Sequence, residues 1–154
     1  MGRARRGCRA RGVVMFTRGV RYSALGVLTT CGMVDCHITR GAYKAKSFRC
    51  AFKKVVMPHL GEGKVLVMDN CPSLHCQRAI IDMVHSVGAI VEFLEPYDPH
   101  HMPIELAFRA AKDTLRKEAK APGRGDRRER LRSALMRVDD RVARSAFREC
   151  GYDL

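Results

Sequence analysis

The sequence lacks tryptophan and is poor in aromatic residues, which make up 6% of its 154 positions. No hydrophobic run approaches the ~18–20 residues that a membrane-spanning helix requires, and the N-terminus has no apolar stretch typical of a secretory signal. The sequence therefore predicts no contact with a membrane. Hydrophobic residues still make up 46% of the chain, which excludes disorder by composition and suits one domain with a buried core.

Acidic residues are absent from residues 1–34, where seven arginines occur. The whole chain carries 29 Lys and Arg against 16 Asp and Glu, a formal net charge of +13. Basic residues are again in excess in residues 109–148, where 14 basic and 6 acidic residues occur. A field of this sign attracts polyanions, of which nucleic acid is the usual one, and a solubilising basic surface is the alternative.

The CxxC spacing is also absent, although the chain has seven cysteines. An odd number without this motif indicates reduced thiols in an intracellular protein, several of them small core residues. Cys71, His75 and Cys76 lie close together, but their spacing matches no standard zinc finger. No zinc site is expected.

The alternation of apolar segments and turn residues predicts an α/β domain. A hairpin is expected first, with a turn at Cys31 and Gly32, and helices and strands then alternate. The predicted strands span residues 13–16, 22–30, 33–39, 65–68 and 90–94, and the predicted helices span 45–59, 76–87, from 103 onward, and one or two within 127–150.

Two carboxylates occur at boundaries of the predicted strands and helices. Asp69 follows the strand at 65–68, and Glu105 opens the helix after the next strand. If the two strands are neighbours in a sheet, both carboxylates lie at one edge, where oxygen ligands typically hold Mg²⁺ or Mn²⁺. The alternatives are an N-cap or Asx turn at Asp69 and a macrodipole preference at Glu105.

Three stretches carry a family resemblance. LVMDN is followed by His75, six residues after Asp69; VEFLEPYDPHHMPIELAF is similar to the pattern FLPPYSPDLNPIExxF; and RGVRYSALGVLTTCGMVDCHI matches a preceding hairpin. Together they resemble the catalytic domain of mariner-type DNA transposases, in the DDE superfamily of endonucleases. The resemblance implies a ribonuclease-H-like mixed sheet flanked by helices.

The resemblance also implies site residues and partners. Asp69 is expected as the second catalytic and metal-binding acid and Glu105 as the third, with Mg²⁺ or Mn²⁺ as cofactor and DNA as partner. A homodimer, as in the family, is compatible with this interpretation. The expected location is nuclear in a eukaryotic host and intracellular otherwise. The residues expected near DNA are Asn70, His75, Arg109, Lys112, Arg116 and Lys117.

The sequence departs from the family pattern in two places. The first catalytic Asp is missing, because no acid precedes Asp35, which lies in the hairpin where the family binds no metal. His100 and His101 replace residues of the loop before Glu105, and they are expected to be exposed rather than metal ligands. The first strand of the fold is therefore expected to be missing.

These departures predict an incomplete active site. The expected organisation is a basic arm at 1–12, an incomplete DDE catalytic domain at 13–119, a linker at 120–126 and basic helices of the same domain at 127–154. In the intact family this domain cuts and joins DNA strands by divalent-metal phosphoryl transfer, which is expected to be impaired here. The alternatives are a non-catalytic remnant that binds nucleic acid and a decayed reading frame without a selected role.

Overall fold

The structure is a computed structural model that describes residues 19–69, 77–94, 101–118 and 126–153. The predicted strand at 13–16 lies outside these residues. The elements are β1 (Tyr22–Thr29), β2 (Gly32–Arg40), α1 (Ala45–Val55), a 3-10 turn (Met57–His59), β3 (Val65–Met68), α2 (Gln77–His85), β4 (Ile90–Phe93), α3 (Pro103–Glu118), α4 (Arg127–Met136) and α5 (Asp140–Glu149). The predicted mixed α/β class is confirmed.

Two of the boundaries that differ from the prediction are the end of the first helix and the hairpin turn. The helix expected over 45–59 ends at Val55, and the 3-10 turn follows with Pro58 near its start, where a missing N–H removes no helical bond. The hairpin turns at Thr30 and Cys31, so that Gly32 already belongs to β2. The basic C-terminal region forms two helices, because Asp126 and Asp139 each cap a helix N-terminus.

Gly32 lies where β2 meets the connection between α4 and α5. Its φ is +115°, and a Cβ atom there would approach the Val138 carbonyl oxygen to 2.6 Å. The next residue, Met33, donates its backbone N–H to that same oxygen at 2.9 Å. Glycine is required here because both the backbone angle and the close approach exclude a side chain.

The antiparallel hairpin of β1 and β2 has a helix layer on each face. A register shift between Val27 and Leu28 interrupts the ladder. Leu25 and Val27 pack toward α1, whereas Tyr22 and Leu28 pack toward α3 and α4, as the two-residue period of a strand requires. The first core cluster lies on the α3 and α4 side and contains Met33, Cys36, Ile38, Ala107, Ala111, Ala134, Leu135 and Val138.

The second sheet consists of β3 and β4, which pair in parallel from Val65 opposite Ile90 to Met68 opposite Phe93. Its core cluster joins the two strands to α1 and α2 and contains Phe48, Phe52, Val56, Met68, Ile80, Val84 and Ala89. The condition stated above, that these two strands are neighbours in a sheet, is therefore met. Parallel strands place their C-terminal ends at one edge.

Within the residues that the structure describes, no ladder joins the two sheets. β1 pairs with β2 and β3 pairs with β4, and no ladder connects β1 to β3, although both strands lie wholly within the described residues. The two core clusters pack against opposite faces of β1. Among the helices that the structure describes, none has the length and apolar character to cross a membrane.

A histidine–tyrosine pair connects β2 to the start of α1. The Tyr43 hydroxyl donates to the His37 carbonyl oxygen at 2.9 Å and lies 2.7 Å from His37 Nδ1. Because the hydroxyl has one proton, the consistent arrangement has Nδ1–H donating to the tyrosine oxygen. Burial raises the pKa of Tyr43 to about 12. Burial, and then the nearby charges of Arg128, Lys54 and Arg132, lower the pKa of His37.

This lowered pKa makes the stability of the fold depend on pH. The unfolded chain binds a proton at His37 near pH ~6.5, whereas the folded chain binds it only at lower pH. The free energy of unfolding is therefore expected to fall as the pH drops below ~6.5. Urea unfolding at pH about 7.5 and about 5.5 measures this loss, which should shrink in His37→Asn and persist in His85→Asn, where the histidine is exposed on α2. An equal loss in both variants would contradict the assignment.

Candidate functional site

A cleft of about 470 Å³ separates β1 from β3. One wall is formed by Phe48 and Phe52 of α1 and by Val56, which directly follows that helix. The opposite wall is formed by α3 and the C-terminal region. Its large apolar and aromatic residues are Ile104, Phe108, Phe147 and Tyr152. The cleft is thus a mostly apolar slot that opens to solvent.

Asp69 and Glu105 both line this cleft and both are exposed to solvent. They are the two acidic residues among its described lining residues. The two residues that the sequence singled out therefore line the same cleft. Neither carboxylate is buried, so each can bind a cation without first losing its hydration in an apolar site.

The local structure explains the position of each carboxylate. Asp69 directly follows Met68, the buried last residue of β3. Glu105 lies in the first turn of α3, where its backbone N–H donates to the Met102 carbonyl oxygen at 3.0 Å. Pro103 opens this helix and is buried, which holds the first turn against the core.

Oxygen atoms of two carboxylates suit a hard divalent cation that keeps several waters, as Mg²⁺ does. Arg21 lines the same cleft, and its guanidinium adds a positive charge that favours a phosphate ligand. Within the described residues, no group of three or more His, Cys, Asp or Glu side chains could hold a metal ion. Asp69 and Glu105 are thus the acidic groups that the described lining of the cleft presents.

Asp35 is part of a different cluster. Its carboxylate lies 3.4 Å from Arg132 Nη2 and 3.9 Å from His59 Nε2. Arg132 also donates to the Cys36 carbonyl oxygen at 2.6 Å and so fixes α4 against β2. Asp35 is absent from the lining of the cleft. The ion pair with Arg132 ties Asp35 to α4, away from the described lining of the cleft.

The exposed face of α3 extends the site with positive charge. Glu105, Arg109, Lys112 and Arg116 are spaced by four, three and four residues, so they share one face of the helix. All four are exposed. Arg116 also forms an ion pair with Asp113 at 2.7 Å. We call the three basic residues of this face the α3 stripe.

Other predicted site residues are not part of this stripe. Lys117 is exposed but lies about a third of a turn away from the face of Glu105, as the ~100° step per residue requires. Asn70 and His75 lie outside the described residues, as does His100. His101 is exposed, as predicted, and its carbonyl oxygen accepts from the Tyr152 hydroxyl at 3.1 Å.

The described cysteines behave as single thiols. Cys31, Cys36, Cys50 and Cys150 are free. Burial raises the pKa of the Cys36 and Cys150 thiols, which disfavours a reactive thiolate at either position.

The cleft itself and Arg21 were not predicted from the sequence. Arg21 is one of seven arginines in the acid-free N-terminal region, and no spacing distinguishes it from the others. The apolar walls come from helices far apart in the chain, so no local pattern indicates that they face one another.

Comparison with known proteins supports one family. A family model described as DDE superfamily endonuclease matches residues 1–132 of the 154 in the chain. No curated protein matches the chain, and no solved structure matches it.

Proposed function

Because this chain belongs to the DDE superfamily of endonucleases, we propose that it binds DNA and holds a divalent cation between Asp69 and Glu105. One observation carries the proposal: both carboxylates line one cleft and are exposed at it. The family match agrees with the two motifs around these residues. Mg²⁺ is the proposed physiological ion, with Mn²⁺ as its substitute, because both prefer oxygen ligands.

Each part of the site has a separate task in this proposal. When bound, the cation supplies Lewis acidity toward a phosphodiester. Asp69 and Glu105 fix its position, and the α3 stripe and Arg21 hold the phosphates of the DNA backbone. Phosphate contacts of this kind set the position and orientation of a duplex but read no sequence.

The proposal includes low activity in cutting and joining DNA. The described residues bring two carboxylates to the cleft, whereas the family resemblance implies three. With one carboxylate fewer, the negative charge that holds two cations close together is smaller, so a second cation should bind weakly. A mariner-like subfamily, a homodimer and a nuclear location in a eukaryotic host follow from the resemblance and form part of the proposal.

Titration with Mn²⁺ tests the cation site directly. Asp69→Asn and Glu105→Gln should each lower Mn²⁺ affinity by about tenfold or more, because each removes one of two charged ligands. Asp82→Asn and Glu92→Gln are matched controls, since both side chains are exposed and lie outside the cleft lining. Unchanged Mn²⁺ affinity in both site variants would reject the proposed ligands.

Nicking of supercoiled plasmid distinguishes this function from the main alternative. A domain with residual activity should nick plasmid only with Mg²⁺ or Mn²⁺, and Asp69→Asn should abolish the nicking. The alternative, a protein that binds nucleic acid without chemistry, is favoured by the absence of a third ligand among the described residues. It predicts DNA binding without metal-dependent nicking in the parent chain.

A further inference from the structure

We propose that Tyr152 is a positioning residue for Glu105. Its hydroxyl holds the backbone turn before α3, and this turn sets the position of the Glu105 carboxylate at the cleft. The inference rests on the cation site proposed above and extends it to the C-terminal segment. The family match ends at residue 132, so it assigns no task to Tyr152.

The hydrogen bond that carries the proposal joins parts of the chain that are 51 residues apart. The Tyr152 hydroxyl donates to the His101 carbonyl oxygen at 3.1 Å. The next carbonyl oxygen, that of Met102, accepts the backbone N–H of Glu105 at 3.0 Å. The His101 carbonyl and the Met102 nitrogen share one planar peptide group, so a shift of that carbonyl also moves the first turn of α3.

The end of α5 fixes the position of Tyr152. Gly151 has a φ of +83° and donates its N–H to the Arg148 carbonyl oxygen at 3.0 Å, and the Tyr152 N–H donates to the Phe147 carbonyl oxygen at 3.0 Å. This pair of bonds is a Schellman motif, in which glycine is favoured at the left-handed position. The rings of Phe147 and Tyr152 also meet edge to face, with centroids 5.5 Å apart. The hydroxyl therefore extends from a backbone and a ring that local contacts already hold.

The surroundings of Tyr152 keep its hydroxyl a donor. Burial, and then the nearby Cys150 thiol, raise the pKa of Tyr152, so the hydroxyl retains its proton at neutral pH. Phe147 and Tyr152 line the same cleft as Glu105. The bond that holds the turn thus lies at the cleft that contains the proposed cation site.

The body of α3 is held by other residues. Ala107 and Ala111 are buried in the first core cluster, and Ile104 packs against it. Glu105 is exposed, so the path of the first turn determines where its carboxylate lies. Loss of the Tyr152 hydroxyl should therefore leave α3 folded and change the placement of its first turn.

Titration of the full chain with Mn²⁺ tests the positioning role. Tyr152→Phe removes the hydroxyl and retains the ring that contacts Phe147. It should lower Mn²⁺ affinity about fivefold, because one hydrogen bond that orients a ligand is lost. Tyr22→Phe is the matched control, since Tyr22 lies on β1 outside the cleft lining, and it should leave Mn²⁺ affinity unchanged.

A double variant separates positioning from a general structural effect. Added to Glu105→Gln, Tyr152→Phe should lower Mn²⁺ affinity no further, because the ligand that the tyrosine positions is already lost. A further loss of the same size would overturn the proposal. Parent-like affinity in Tyr152→Phe, beside a loss in Glu105→Gln, would overturn it and leave the proposed cation site intact. Parent-like affinity in both Asp69→Asn and Glu105→Gln would reject the cation site and the positioning role together.

Hydrogen exchange measured by NMR on the metal-free full chain gives a second readout. The Glu105 amide should exchange about fivefold faster in Tyr152→Phe than in the parent chain, because the turn that holds its acceptor is released. The Ala111 amide, in the middle of α3, should exchange at the parent rate. Parent-like exchange at Glu105 would overturn the proposal, as would faster exchange along the whole of α3.

Discussion

Replacing Arg109, Lys112 and Arg116 by alanine is expected to weaken binding of duplex DNA roughly a hundredfold at about 100 mM salt. The three side chains are exposed on the face of α3 that also carries Glu105. Each phosphate contact on duplex DNA releases about 0.9 counterion, so three lost contacts should reduce the salt slope by ~2.7. Fluorescence anisotropy of a labelled duplex over a range of salt concentrations measures both quantities.

A second triple variant separates a defined surface from general positive charge. Lys46, Arg49 and Lys53 are exposed on α1 and share one face of that helix. Replacing them by alanine removes the same charge from the chain. If the α3 stripe contacts the phosphates, this control should leave the salt slope nearly unchanged. Equal weakening by both triple variants would indicate attraction by net charge alone.

Phe52→Ala is expected to lower the free energy of unfolding by about 3–5 kcal/mol. Phe52 has 0% exposure and packs in the second core cluster beside Phe48, with ring centroids 6.2 Å apart. It also forms part of the α1 wall of the cleft, so neighbouring side chains cannot all move in to fill the space. Since a domain of this size is commonly stable by about 5–15 kcal/mol, the loss is large.

Urea unfolding followed by circular dichroism measures this effect, since the chain has no tryptophan for fluorescence. Met136→Ala is a suitable control, because Met136 is 39% exposed and its truncation should cost well under the Phe52 value. Equal midpoints in the two variants would contradict the buried position of Phe52. Absence of a cooperative transition in the parent chain would instead favour the decayed reading frame.

Much of the local structure was predictable from the sequence. The run at 65–68 is β3, and the apolar spacing around Phe48 and Phe52 marks α1. Such patterns depend on residues three or four positions apart, so a single sequence contains the information. Exact ends were less predictable: the 3-10 turn after Val55 depends on local competition between helix types near Pro58.

The candidate site was predictable where it coincides with motifs. Asp69 follows a strand and Glu105 opens a helix, and the parallel pairing of β3 and β4 was the condition for bringing both to one edge. The role of Asp35 was decided by distant residues instead. Its partners His59 and Arg132 come from the 3-10 turn and from α4, and no local pattern predicts that they meet.

By itself, the sequence determined the α/β class, the basic character of the chain and the two acidic motifs that identify its family, because each is a property of composition or of short spacing. Only the tertiary structure decided that, among the described residues, β1 and β3 share no ladder, and that Asp69, Glu105 and Arg21 line the cleft between them. The physical reason is that the walls of this cleft are set by the packing of α1 and α3 on two separate hydrophobic cores. That packing depends on contacts between residues far apart in the chain.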